Sequence, residues 1–465
     1  MNAEDLRRWG IPPGDAMRLT FQIIKRLFNE SIPAETVRSQ LLAVIHQPSA
    51  HLNDSHWSEL AQMLDEITIF EPRAEPAPYH QWGKDLDANA IEQMRNACQL
   101  PIAVAGALMP DAHLGYGLPI GGVLATKGAV IPYAVGVDIA CRMKLTVLDL
   151  PLKHFEKRTK IDRLKKAIEA ETRFGTGARF QKDAIRNHKV MDADWSITKV
   201  TAAAKDKAWT QLGTSGSGNH FVEFGIFEIE TDELGLGPGQ YIALLSHSGS
   251  RGAGAAVAGH YSKLAREAHP ELPDKLKHLA WLEMNKESGQ AYWAAMNLMG
   301  DYAAANHSCI HKHIARHLGA EVLLDVENHH NFAWKEEHLG DELIVHRKGA
   351  TPAGKGIMGI IPGSMASPAY LVRGKGKAES LNSASHGAGR VMSRRKAAEH
   401  LRWEDANKLL KAQQVELISA GLDEVPAVYK DIETVMDAQS DLVEKLGRFH
   451  PRLVKMAPPG ERPED

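Results

Sequence analysis

The chain has 465 residues, 43% hydrophobic and 24% charged, enough to bury one large core with a smaller unit beside it. Its 55 basic and 58 acidic residues leave a net charge of −3, so any nucleic-acid surface must be a local patch rather than a global field. Cys98, Cys141 and Cys309 cannot build a disulfide framework, Met1 to Gly10 lack an apolar signal core, and the most apolar window, Ile120 to Ala140, is interrupted by Lys127, Pro132 and Asp138. The expectation is a cytoplasmic protein with no membrane span.

Residues 1–72 read as a helical N-terminal extension. Met17, Phe21, Ile24 and Phe28 recur at helical spacing after Asp15, a candidate cap. A second helix is predicted from Pro33 through Leu41, Leu42 and Ile45 to Pro48, and a third carries Trp57, Leu60, Leu64 and Ile67. The proline-rich run from Glu71 to Pro78 then reads as a linker.

Beyond Tyr79 the pattern turns to short apolar strands, glycine turns and helices. Strands are predicted at Val130–Val135, Phe221–Phe227, Tyr241–Leu245, Val322–Val326, Leu343–His346 and Tyr370–Val372, and helices at Leu152–Thr172, Gln290–Leu318 and Ala427–Leu446. No steady βαβ rhythm links them, so the fold class expected is α+β.

Five fragments place a metal-grade ligand or nucleophile at a strand end or beside glycine. Asp138 and Cys141, three apart after Gly136, can converge on one ion, and a thiolate can bridge two cations where an imidazole cannot. Taken alone, the pair reads more readily as a turn Asp and a buried Cys. His247 follows the apolar run Ile242–Leu245, and His330 closely follows Val322–Val326, so both imidazoles stand at strand ends. Strict alternation would put Asn219 and Glu223 on one face and His220 on the other, unless the backbone bends at Gly218. His386, followed by Gly387, Ala388, Gly389 and Arg390, offers a nucleophile, backbone N–H groups open to a phosphate, and a guanidinium, although a glycine turn beside a capping His explains the motif equally well. His307, Cys309, His311, His313 and His317 fall on one predicted helix and read as solvated or structural. No glycine loop fits a Walker A or dinucleotide fingerprint. Lys157 to Lys166 reads as a solvated helix face, whereas Arg390, Arg394, Arg395 and Lys396 would meet a polyanion approaching His386.

In this order the motifs resemble the RtcB family of RNA ligases. The resemblance is carried by Met109–Gly115, the Asp138/Cys141 turn, Gly218–Glu223, His247–Gly252, His330-Asn331, Arg347–Thr351, Pro362–Met365, His386–Arg390 and Ala427–Ile432. It spans about residues 80 to 455 and makes residues 73–465 a catalytic domain with a dinuclear metal and GTP site. It implies joining of RNA 3′-phosphate or 2′,3′-cyclic phosphate ends to 5′-hydroxyl ends, with GTP and two manganese ions (Mn2+), in RNA repair or tRNA splicing. Archease enters as a candidate partner. By the resemblance, Cys141 bridges the metals, Asp138 and His220 complete one site, and His247 and His330 the other. His386 would carry GMP. The GTP pocket would comprise Asn219, His220, Phe221, Val222, Glu223, His330, Asn331, Pro362, Gly363, Ser364, Met365, Ala369, His386, Gly387, Ala388, Gly389, Tyr429 and Lys455. Arg251 and Arg390 would meet RNA phosphate. Two departures stand out: Ala369 replaces the family's usual serine, and ten residues follow Lys455. A two-metal phosphoesterase or nuclease would use the ligands but not His386 or Tyr429, and a binding module that has lost catalysis is a third reading.

Overall fold

The computed structural model describes residues 1–65 and 70–461 and divides into two compact units. The first comprises residues 1–71 with 271–273, and the second holds the remainder. In the first, helices Ala3–Trp9, Asp15–Asn29, Ala34–His46 and Ser58–Asp65 close over Leu27, Val37, Leu41, Val44, Trp57 and Leu60. The buried stripe of Asp15–Asn29 runs through Met17, Thr20, Ile23, Ile24 and Leu27, which leaves Phe21 and Phe28 exposed on its flank. Gly14, not Asp15, occupies the cap position, and Asp15 instead pairs with Arg18 in the first turn, where its charge suits the helix dipole. Ile67 lies outside the described residues.

The second unit is α+β. Its main sheet runs, in spatial order, Val322–His329, Arg142–Leu148, Gly239–Ser248, Phe221–Ile229, Val443–Met456, Ala369–Gly374 and Met358–Ile361, and Glu416–Ser419 also pairs with Val443–Met456. Asn328 ties the two ends of this path together, accepting from Ile360 N–H (2.9 Å) and donating to Thr351 Oγ1 (2.8 Å). A second sheet orders Tyr79–Gln81, Ala103–His113, Ile120–Thr126, Asp341–Lys348 and Phe332–His338. The helix Glu287–Leu318 ends on Gly319 at φ +61°, whose N–H caps the last carbonyls, and buries His307 and His311 behind the main sheet. Among the described residues no helix is long and apolar enough to cross a membrane.

Two sequence expectations give way to tertiary structure. Of the predicted strand Val130–Val135 only Val130 lies in a strand, Ala129–Val130, because Pro132 starts a short helix that runs to Val135. The predicted helix Ala427–Leu446 breaks into a turn at Pro426–Val428, a helix Ile432–Asp437 capped by Asp431, and the strand Val443–Met456. That strand pairs with Phe221–Ile229 and Ala369–Gly374 along its length, and cross-strand burial overrides a weak helical period. Leu152–Thr172 divides into a single turn at Leu152–Phe155 and the helix Arg158–Glu171.

Gly225 and Gly447 make room for rings across this pairing: a Cβ would sit 2.4 Å from Phe449 Cζ at Gly225 and 2.5 Å from Phe227 Cζ at Gly447. Gly447→Val is therefore expected to destabilise the second unit by about 1–3 kcal/mol through overpacking. Denaturant unfolding of this variant should show a lower midpoint with binding-site composition unchanged.

Candidate active site

Strand register assembles the site. Arg142 pairs with Ser248 on one side and with His329 on the other, so Cys141, His247 and His330 reach one cleft from three adjacent strand ends. His330 N–H donates to Cys141 O at 2.9 Å. The preceding turn is tight: Ala140 adopts φ +56°, unusual for a residue with a Cβ, while Cys141 N–H donates to Asp138 O at 3.2 Å. His220 precedes the strand that opens at Phe221, and Gly218 turns at φ +70°, so strict alternation does not govern Asn219 and His220. Both face the same cavity as Glu223.

Two ligand triads share the thiol. Cys141, His247 and His330 offer atoms within 4.8 Å of one another, and so do Asp138, Cys141 and His220. Cys141 Sγ lies 3.1 Å from His247 Nε2 and 3.4 Å from His220 Nε2, and His247 Nε2 lies 3.2 Å from His330 Nε2. The donor chemistry fits divalent cations. His247 Nδ1 contacts Asn219 O at 3.1 Å, which places its hydrogen there and aims the Nε2 lone pair at Cys141 and His330. Burial holds His247 down to about 3 and His330 well below the usual imidazole range, so both rings are neutral. Burial pushes the Asp138 carboxyl up, but the His220 contact and Arg251 outweigh it and hold the group at about 2.

His386 faces these triads, its ring centroid 4.9 Å from that of His330. Its Nδ1 donates to Asp111 Oδ2 at 2.7 Å, and the same oxygen accepts the N–H groups of His386 (3.2 Å) and Gly387 (3.4 Å). Three donors on one fully buried carboxylate oxygen fix the imidazole and leave Nε2 as its free lone pair. Asp111 stands in the Met109–Gly115 motif, but nothing in its spacing from His386, 275 positions away, marks the contact. Gly389 is obligatory at φ +76°, because a Cβ would fall 2.1 Å from Asp111 O.

The cavity wall continues through Phe221, Asn331, Pro362, Gly363, Ser364, Met365, Ala369, Gly387, Ala388, Arg390 and Tyr429. Glu223 is buried, its carboxyl has no hydrogen-bond partner among the described residues, and burial raises it well above the usual carboxylate range. Tyr429 donates its hydroxyl to buried Glu424, which also pairs with Arg390 and Arg394. Residues that the sequence did not mark as part of the site include Asp111, His113, Gly349, Ser367, Glu424, Val454 and Met456. Ser367 lies two residues before Ala369 on the same wall and supplies a hydroxyl near the position where the serine is missing.

Three expected site residues fall elsewhere. Strand alternation puts Val454 and Met456 in the cavity and turns Lys455 to the opposite face, 3.6 Å from Glu169 and over Phe174. Val222 likewise points away, into the core with Leu244 and Ile310. Arg251 is 3% exposed and packs on Gly216, with Nη1 donating to His220 Nδ1 at 3.1 Å, so it braces a ligand instead of meeting an incoming phosphate. His307 and His311 are structural but not solvated: both hold Ser246 Oγ at 2.7 Å behind His247.

The description "tRNA-splicing ligase RtcB" matches residues 93–456 as a family model. The chain belongs to the RtcB family. It is 36% identical over 406 residues to the RNA-splicing ligase RtcB of Escherichia coli K12, covering 80% of this chain and 95% of that protein. It is 32% identical to the tRNA-splicing ligase RtcB of Methanococcus maripaludis over 452 residues, covering 81% and 92%. For the Mycobacterium bovis RNA-splicing ligase RtcB the identity is 30% over 431 residues, covering 77% and 98%.

Cys141 belongs to both triads, so Cys141→Ser should lower divalent metal content more than loss of His220 or His330 alone, because a neutral hydroxyl cannot bridge two cations. Elemental analysis after manganese loading and gel filtration measures this. Two full equivalents in the serine variant would make the thiol purely structural.

Glu223 generates a pH prediction. Its folded value is raised, so the unfolded chain releases this proton first and stability falls as pH climbs from the unfolded value of about 4.3 through the folded one. Glu223→Gln should therefore raise the melting temperature of the ligand-free protein at pH 7 to 8 and flatten its dependence on pH. A lower melting temperature at both values would show that the carboxylate is compensated.

Proposed function

We propose that this protein is an RNA ligase that joins RNA 3′-phosphate or 2′,3′-cyclic phosphate ends to 5′-hydroxyl ends, using GTP and manganese. The observation that carries the reading is the Asp111–His386 pair in the same cavity as two triads that share Cys141, with the unpartnered carboxyl of Glu223 on its wall. Family membership supports it.

In this reading His386 Nε2 attacks the α-phosphorus of GTP, a P–N bond forms and pyrophosphate leaves. The Nδ1 hydrogen stays on the ring, hydrogen-bonded to Asp111 Oδ2, whose negative charge stabilises the charge that the ring acquires. The guanylyl group then passes to an oxygen of the RNA 3′-phosphate, which frees His386. The 5′-hydroxyl, losing its proton, attacks that activated phosphorus and displaces GMP. Two manganese ions held by Asp138, Cys141 and His220 and by Cys141, His247 and His330 would supply electrostatic stabilisation of phosphoryl charge. Gly387 and Gly389 let phosphate approach the backbone, and Arg390, on the cavity wall, adds positive charge. Tyr429 would stack on the base, its ring fixed through Glu424. Glu223 can accept from guanine N1–H and the exocyclic amine, a donor pair that adenine lacks and that compensates its ionisation. A phosphoesterase would leave Asp111–His386, Glu223 and Tyr429 without a task.

Incubation with α-labelled GTP and manganese should give a label that survives denaturation and is acid-labile. His386→Ala should abolish it with metal content retained, and an adduct of wild-type intensity in that variant would sink the nucleophile assignment. Asp111→Asn should slow adduct formation at least about a hundredfold, since an amide can donate to Nδ1 and stabilise the wrong tautomer.

Base choice is tested in the same assay. Glu223→Gln should lower the preference for GTP over ATP about tenfold or more, the size of one charge-assisted bond. Ala369→Ser should tighten GTP by up to about tenfold. Equal labelling of the unmodified protein by ATP and GTP would remove Glu223 from base recognition.

A further inference from the structure

The loop between His113 and Ile120, whose two ends line the site cavity, carries Tyr116 with its surface 68% exposed. This ring is exposed yet firmly held. Its backbone carbonyl accepts from buried Lys348 Nζ at 2.5 Å, and the same ammonium donates to Tyr133 O at 3.1 Å. One residue earlier, Gly115 exchanges two hydrogen bonds with the Gln93 amide, at 2.7 and 3.1 Å. One residue later, Gly117 packs so closely that a Cβ would meet His278 O at 2.9 Å. The Tyr116 ring stands edge-on to Tyr133 (6.4 Å) and to His278 (5.8 Å), which are themselves 4.5 Å apart.

A loop pinned on three successive residues around an outward-facing aromatic ring is not explained by core packing. The charges around it are cationic. The Arg266 charge acts on both Tyr133 and His278 and the Lys277 charge on His278, whereas Lys348, held down to about 7 by burial, contributes its hydrogen bonds more than its charge. Asp274, which pairs with Lys277 at 2.5 Å, is itself 93% exposed on its side chain. The cluster also adjoins the nucleophile: Lys348 precedes Gly349, where a Cβ would lie 3.2 Å from His386 Cε1. An exposed π face among cations beside a phosphoryl-transfer residue suits an unpaired nucleobase with its backbone phosphate.

We propose that Tyr116, backed by Tyr133 and His278, is a stacking platform for an unpaired base of the RNA end entering the site, with Arg266 and Lys277 meeting its phosphates. The proposal rests on the RNA-ligase reading for the identity of its occupant. It assigns an RNA subsite on the His113–Ile120 side of His386, away from the Tyr429 side of the cavity.

The test uses the full-length, manganese-loaded protein and short single-stranded RNAs with 2-aminopurine beside a 3′-phosphate in one arm and at a 5′-hydroxyl end in the other. Binding should quench 2-aminopurine in at least one arm, which also identifies the strand that is stacked. Tyr116→Ala should weaken that RNA about five- to hundredfold and abolish the quench, while Tyr116→Trp retains both. Arg266→Ala should weaken all sequences alike and lower the salt slope by about one. Unchanged affinity in Tyr116→Ala, quenching in neither arm, or equal losses in the alanine and tryptophan variants would overturn the platform. Labelling of His386 by GTP needs no RNA and reports on the ligase reading alone. Absent labelling with Tyr116-dependent RNA binding removes the ligase and keeps the platform, and normal labelling with binding indifferent to Tyr116 does the reverse.

Discussion

A thiol at the end of a central strand, shared by two sets of ligands, is the constraint on which the rest of this unit depends. Cys141 is 3% exposed, and its neighbours Asp138, His220, His247 and His330 are buried too. Gathering a carboxylate and three imidazoles out of water is costly unless cations or hydrogen bonds compensate them. The fold holds Nδ1 of His247 and of His220 and leaves Nε2 of each facing the cleft, while His330 Nδ1 has no hydrogen-bond partner among the described residues. Asn219 O holds His247 Nδ1, Arg251 braces His220 Nδ1, and the buried histidines of Glu287–Leu318 fix Ser246. What converges on the cleft is two sets of candidate ligand atoms that share Cys141 Sγ.

The same logic of an orientation set from behind recurs across the cavity. Asp111 fixes His386 from the second sheet, and Glu424 fixes Tyr429, Arg390 and Arg394 from a loop. The strand ends of the main sheet supply the candidate metal ligands, and the strand Ser383–Ser385, paired with Ala350–Pro352, delivers His386. The candidate metal ligands and His386 thereby come from different elements, and in the proposed reading a nucleotide would bridge them across the cleft. Glu223, left unpartnered on the wall, is a stability cost of the kind that active sites commonly carry.

The α+β class, the helical first unit, the strands around Phe221, Tyr241, Val322, Leu343 and Tyr370, and the five residues that cluster as candidate ligands were legible in the chain, because such residues beside glycines at strand ends leave a local mark. What was illegible depended on partners distant in sequence. Val443–Leu446 looks like the end of a helix until its neighbouring strands are known, and Lys455 looks like a pocket residue until alternation along that strand turns it toward Glu169. Arg251 looks like a phosphate ligand until Gly216, whose missing side chain accommodates the guanidinium, is placed beneath it. Asp111 carried no role because a carboxylate that orients a histidine has no fixed spacing from it.

The departure at Ala369 shows why a wall must be read as a surface and not position by position. Ala369 is buried on the strand that pairs with Phe449, and its methyl contributes to the core cluster that includes Leu371 and Phe449. Replacing a serine there exchanges a hydroxyl for apolar packing, a change that costs little where no partner is left stranded. Ser367 lines the same cavity and shares a hydrogen bond with Ser364 at 2.9 Å, so hydroxyl donors remain on this wall. With Glu223 opposite a guanine's two donors, base selectivity would then rest on a carboxylate whose ionisation the ligand itself makes favourable. In the proposed reading a neutral donor at position 369 would adjust affinity, while the buried acid would decide which base is admitted.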